Sequence, residues 1–234
     1  MITLHDVELR HGSRIVLSGL SGRFETGSKT ALIGANGSGK TTLLRAIAGL
    51  HPVASGRIDR EGLAAADIAL LAQGSHLDRS FPINCRDVVA LATTRLGPFR
   101  SIGKDRLVVA QAALDRVGLS EMEDRPIQAL SAGQFQRVLF ARTIVQDTRL
   151  ILLDEPFTAV DAATTKLLMS VVEDWHAQGR TVIAVLHDVE LVRRYFPHTL
   201  LLSGQCGQWD AQLDAQLDAQ LGGNALPDPG LQAA

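Results

Sequence analysis

The chain has 234 residues, 46% hydrophobic and 21% charged, enough for one sizeable core and typical of an ordinary soluble globular protein. Its formal net charge of −2 gives no sequence-wide attraction to nucleic acid or anionic lipid, so no nucleic-acid partner is expected. Cys85 and Cys206 are too far apart for a metal-ligand or redox motif. No secretory leader is read, and no apolar run approaches the ~20 residues that a membrane helix needs.

Ile2–Leu9 alternates apolar and polar side chains, as a half-buried strand does, and Ile15–Leu20 is also strand-like. Thr30–Ile33 is short and apolar, the pattern of a strand buried on both faces. It runs into a glycine-rich turn and then a helix over Thr41–Leu50, stopped by Pro52. Ile68–Ala72 predicts another buried strand. From about residue 83 to 147 helical periodicity dominates, most clearly in Asp87–Leu91 and Val108–Val117. A strand (Leu150–Leu153), a helix (Ala162–Gln178), a strand (Thr181–Leu186), a helix (Val189–Phe196) and a strand (Thr199–Leu202) follow. Strands alternating with helices predict an α/β fold with a mainly parallel sheet covered on both faces.

A helical subdomain is expected to be inserted at about residues 74–147 of a single domain spanning 1–205, with 206–234 as a C-terminal tail. The tail repeats Ala-Gln-Leu-Asp from Ala211, which would line its leucines along one stripe of a short helix. The Gly- and Pro-containing residues 222–234 are expected to be disordered.

Chemistry enters at Gly34-Ala35-Asn36-Gly37-Ser38-Gly39-Lys40-Thr41, which fits G-x-x-x-x-G-K-[ST]. Gly34, Gly37 and Gly39 let the backbone bend so that successive N–H groups, with Asn36 and Ser38, face phosphate oxygens. The helix that begins here adds the positive end of its dipole, bringing Thr42 to the same place. Lys40 would reach the β- and γ-phosphates of ATP, and the Thr41 hydroxyl would ligate Mg²⁺. Downstream, Leu150-Ile151-Leu152-Leu153-Asp154-Glu155 is an apolar strand that delivers acids at its C-terminal end, where open α/β sheets place ligands. Asp154 would hold Mg²⁺ through water and Glu155 would polarise the attacking water.

Leu130-Ser131-Ala132-Gly133-Gln134 opens a long helix with Ser131 at the N-cap. At these residues the chain resembles the ATP-binding cassette (ABC) family, whose signature usually reads Leu-Ser-Gly-Gly-Gln. The resemblance extends from Met1 to about Gln205. It implies a P-loop NTPase of the ABC ATPase type, with a small antiparallel β region beside the parallel core. It also implies that two copies close head to tail, with Ser131, Gly133 and Gln134 meeting the γ-phosphate of ATP held by the other P-loop. Gln73 matches the glutamine that contacts Mg²⁺ and couples to the permease, His187 the histidine that contacts the γ-phosphate, and Asp161 the aspartate at the dimer interface. The family's adenine-stacking aromatic falls on His11. This chain departs from the pattern at Ala132, which puts a methyl where the family has glycine, and at His11, a smaller stacking face than an aromatic ring.

Leu77-Asp78-Arg79-Ser80-Phe81-Pro82-Ile83, then Arg86-Asp87-Val88-Val89, resembles the motors of bacterial zinc and manganese importers, with motors for siderophores, haem and cobalamin as the alternative. The resemblance thus implies a cytoplasmic subunit, peripheral on the inner face of the cell membrane. Its partners would be an integral membrane permease and, indirectly, an extracytoplasmic solute-binding protein. A soluble ABC-type ATPase outside transport is the rival reading, although such proteins usually carry two cassettes or long coiled-coil insertions. A kinase or GTPase would leave Leu130–Gln134 without a purpose.

Overall fold

The computed structural model describes residues 1–72, 79–93, 104–158 and 160–210. Gln73 and the Ala-Gln-Leu-Asp repeat lie outside the described residues.

β1 (Ile2–His11) pairs antiparallel with β2 (Arg14–Phe24) on one side and β4 (Ser55–Arg60) on the other, forming a three-stranded sheet. The larger sheet has the order β5 (Ile68–Leu71), β6 (Leu150–Asp154), β7 (Thr181–Val185), β3 (Lys29–Gly34), β8 (His198–Ser203), β9 (Cys206–Trp209). Its pairings are parallel except for the antiparallel edge strand β9. The expected architecture is therefore present: a parallel core, a small antiparallel sheet and a helical region.

β3, β6 and β7 are buried at every position, and their side chains divide between two cores. Leu32, Leu150, Leu152, Ile183 and Val185 join α1 (Lys40–Ile47) and the inner face of the small sheet. Ala31, Ile33, Ile151, Leu153, Val182 and Ala184 join the helical side. That side comprises α2 (Cys85–Ala90), α3 (Lys104–Arg116), α4 (Ala132–Gln146), α5 (Ala162–Ala177) and α6 (Val189–Tyr195). The alternation follows from the two-residue period of a strand, and apolar residues at every position are what a sheet covered on both faces requires.

Two strands escape the sequence pattern. β4 reads Ser-Gly-Arg-Ile-Asp-Arg, mostly exposed, and exists because β1 offers it a ladder from Ile2↔Arg60 to His5↔Arg57. β9 falls in the segment set aside as tail, yet it pairs with β8 through Ser203↔Cys206 to Leu200↔Trp209. The Trp209 ring meets Phe24 edge-on with centroids 4.9 Å apart, and its Nε1–H donates to the Ser21 carbonyl at 2.8 Å. The edge of the large sheet is thereby tied to β2 by a contact distant in sequence.

Candidate functional site

The strands β3, β6 and β7 are parallel neighbours, so their C-terminal ends open on the same side and bring three segments together. The turn after β3 needs glycine at both ends. A Cβ on Gly34 would lie 2.3 Å from the Leu202 carbonyl oxygen, and Gly39, with φ 96°, would put one 2.6 Å from Val16. Between them Asn36 and Gly37 form an exposed tip, while Thr42 sits half-buried in the first turn of α1.

Lys40 folds back under this loop. Only 6% of its surface is exposed, and Nζ donates to the Gly34 carbonyl at 2.7 Å and the Ala35 carbonyl at 2.9 Å. Burial lowers its pKa, and the Glu155 and Asp154 carboxylates act in the opposite direction. The Thr41 hydroxyl donates to Asp154 Oδ1 at 3.0 Å, joining the P-loop to the end of β6. Asp154 is 3% exposed; burial raises its pKa, and the Thr41 hydrogen bond pulls it back. A buried carboxylate next to a hydroxyl is a suitable donor set for Mg²⁺, which would replace the solvation that burial removes. Ser38 Oγ, buried in the loop, has no hydrogen-bond partner among the described residues. An unpaired buried hydroxyl under a ring of bent backbone fits an absent acceptor such as a phosphate oxygen.

Glu155 follows Asp154 in a left-handed conformation, φ 49°, an uncommon choice for a side chain of this length. This turn carries its carboxylate off the line of β6 to His187, whose Nε2 lies 2.8 Å from Glu155 Oε1. Thr158 donates from Oγ1 to Glu155 Oε2 at 3.4 Å. His187 comes from the segment after β7, so the two groups that the sequence singles out separately form one pair. The structure also shows something the sequence did not suggest. A cavity of about 700 Å³ runs from Glu155 and His187 between α5 and α6 to Tyr195.

α4 opens with a cap of its own. Ser131 and Gln134 close a reciprocal capping box: Ser131 Oγ accepts from Gln134 N at 3.1 Å and Gln134 Oε1 accepts from Ser131 N at 3.0 Å. Ser131 and Ala132 are exposed, Gly133 half-buried, and among the described residues no hydrogen bond joins this turn to the P-loop of its own chain. Asp161 caps α5 by accepting from Thr164 N at 2.7 Å, and that hydrogen bond lowers its pKa. His11 is exposed at the end of β1, beside a 360 Å³ hollow that it shares with Arg10 and His51. His51, whose Nε2 lies 2.9 Å from the Arg10 carbonyl, had no sequence signal to distinguish it. Among the described residues no helix is long and apolar enough to cross a membrane, and no group of three or more His, Cys, Asp or Glu could hold a metal ion.

The sequence pattern of the family described as "ABC transporter" matches residues 17–158, more than half of the chain. The chain belongs to the ABC transporter family. It is an ATPase of that family, and the loop between β3 and α1 is its P-loop. A zinc transport system ATP-binding protein from Treponema pallidum (strain Nichols) is 38% identical over 207 residues, covering 86% of this chain and 78% of that protein. A manganese transport system ATP-binding protein from Bacillus subtilis (strain 168) is 36% identical over 206 residues, covering 86% and 82%. Among solved structures, a chain of a transporter described as of the metal-chelate type, in an inward-facing conformation, superposes with a TM-score of 0.78 at 27% identity, covering 89% and 82%. A dimeric bacterial ABC transporter cassette superposes with a TM-score of 0.77 at 25% identity, covering 88% and 96%.

Proposed function

We propose that this ABC ATPase drives the import of zinc or manganese through a separate membrane permease. The observation that carries the hydrolytic part is the convergence of the Thr41–Asp154 and Glu155–His187 hydrogen bonds at the strand ends beside Lys40. The cargo is supported by the relatives named for zinc and manganese transport, each aligned with 86% of this chain.

Two copies close on two ATP molecules. Gly34, Asn36, Gly37, Ser38, Gly39, Lys40, Thr41 and Thr42 of one hold the phosphates, and Ser131, Gly133 and Gln134 of the other complete the site. The helix-terminus attraction for anions thus acts twice, once at α1 and once at α4. Thr41 and Asp154, with Gln73, would hold Mg²⁺, which would supply positive charge against the phosphates. Glu155 takes the proton of the attacking water, His187 orients Glu155 and meets the γ-phosphate, Asp161 lies at the seam between the copies, and His11 stacks on adenine. The dimeric cassette structure, at 25% identity, supports the two-copy arrangement. The chain sits on the inner face of the membrane against the permease, which receives its cargo from an extracytoplasmic solute-binding protein.

Cells lacking this chain should accumulate less zinc or manganese when these metals are scarce, measured as total cellular metal. Unchanged content of both, with unimpaired growth, would count against the proposal. The resemblance to a metal-chelate type transporter favours chelated metal as a second reading. Lost uptake of a siderophore, haem or cobalamin with normal zinc and manganese would select it.

The alanine in the signature leads to a second expected result. Ala132 is exposed at the first position of α4. Ala132→Gly should leave ATP turnover unchanged or raise it, because the most the helix loses is about 1 kcal/mol of propensity. A sharp loss in a steady-state ATPase assay would show that α4 presents this turn in some other way.

A further inference from the structure

The side chain of Arg79 points at the start of α4. Its Nη2 donates to the Leu130 carbonyl, in a short contact, and to the Ile127 carbonyl at 3.3 Å. The guanidinium also lies over the Phe135 ring, 4.6 Å from its centroid. Leu130 and Phe135 flank the capping box: Leu130 precedes the N-cap Ser131, and Phe135 is the fourth residue of the helix. Both are about 95% buried in the same cluster. Apolar residues at these two positions form a staple that sets the angle at which a chain enters its helix. Arg79 grips both halves, one by its carbonyl and the other by its ring face. A flat guanidinium can make both contacts at once, which an ammonium cannot.

The neighbouring backbone continues the attachment. Gln128 Nε2 donates to the Ser80 carbonyl at 3.1 Å, Ile127 N to the Ile83 carbonyl at 3.0 Å, and Cys85 N to the Arg125 carbonyl at 3.0 Å. Residues 79–85 are thus laced to residues 125–130, and Arg79 is the last tie before Ser131.

We propose that Arg79 is a positioning residue for the cross-dimer ATP site, fixing the direction of the Ser131–Gly133 turn to residues 79–85. This rests on the reading that Ser131 and Gly133 meet ATP held by a second copy. Arg79 itself touches no nucleotide, so its loss should spare binding to the single chain and weaken closure of the pair.

The test uses the full chain carrying Glu155→Gln, with ATP-driven dimer formation read by sedimentation and ADP binding to the single chain read by calorimetry. Adding Arg79→Met, which keeps an apolar stem but no donor, should weaken dimer formation about tenfold, the size of one charge-assisted hydrogen bond. ADP affinity should stay within about twofold, as expected for separate sites. Arg79→Lys, which keeps a donor and loses the flat stack, should recover part of the loss. Ser131→Ala in the same background is the reference. If it weakens dimer formation while Arg79→Met does not, the Arg79 proposal is overturned. If Ser131→Ala has no effect, or Glu155→Gln alone forms no ATP-driven dimer, the underlying reading of the site fails and takes the proposal with it. Equal loss of ADP binding and dimer formation in both Arg79 variants would make Arg79 a residue of the fold alone, and that also overturns it.

Discussion

A Glu155→Gln chain is expected to bind ATP as tightly as the original, to hydrolyse it about 10²–10⁴-fold more slowly, and to accumulate as an ATP-bound dimer. Glutamine matches glutamate in size, so the left-handed turn at position 155 and the contact with His187 have the same steric demands in both chains. Its amide oxygen still accepts from Thr158 Oγ1. The change removes the negative charge, and with it the ability to take a proton from water, and turns the oxygen facing His187 Nε2 into an NH2 donor, which a neutral imidazole nitrogen can accept. On the proposed reading, binding energy comes from the β3–α1 loop and the α4 terminus of a second copy, neither of which is touched, so the closed state should form and persist. The two readouts are steady-state phosphate release and gel filtration with and without ATP. Near-normal release would remove Glu155 from the role of base. Slow release without a trapped dimer would show that closure, rather than proton transfer, had been damaged.

The parts of this site that were legible in the sequence are those where chemistry demands residue types at fixed spacing. A bent phosphate loop needs Gly34 and Gly39 with a lysine next in line, and a carboxylate at a buried strand end announces itself as Asp154 after four apolar residues. The strands that carry them were legible because burial on both faces leaves no polar position. β4 and β9 were illegible for the converse reason. Their polar sequences have no pattern of their own and are strands only because β1 and β8 supply partners. Contacts over long separations were equally hidden. Nothing near Arg79 announces a carbonyl 51 residues away, and nothing near Glu155 announces a histidine 32 residues on. His187 entered the sequence reading through motif order in a family, and its pairing with Glu155 through the structure alone. The capping box at Ser131 and Gln134 could be read locally, because both halves lie within one turn.

The other large effect should come from Lys40. An ammonium has three N–H donors, and two of them are spent on the Gly34 and Ala35 carbonyls. The third is left for an oxygen outside the chain. Burial already disfavours the charge, and the carboxylates of Glu155 and Asp154 offset part of that cost. A phosphate would offset more, so the cation is placed where an anion gains most from it. Lys40→Met, which retains the stem and loses the head, should lower kcat about 10²–10³-fold, the usual cost of removing one pre-positioned donor. It should also weaken ATP binding by about 10–100-fold, as loss of a hydrogen bond to a charged group does. Lys40→Arg should not rescue. Lys40 is 6% exposed, which leaves little room for a larger head, and a guanidinium nitrogen carries at most two N–H groups, so one that donates to both carbonyls has none left to reach forward. Binding of a fluorescent ATP analogue, with turnover and thermal melting of the same preparations, separates loss of ligand from loss of fold. Full activity in Lys40→Arg would mean that the site needs only a positive charge there. Unchanged binding in Lys40→Met would mean that the backbone cradle and the helix end hold the phosphates without it.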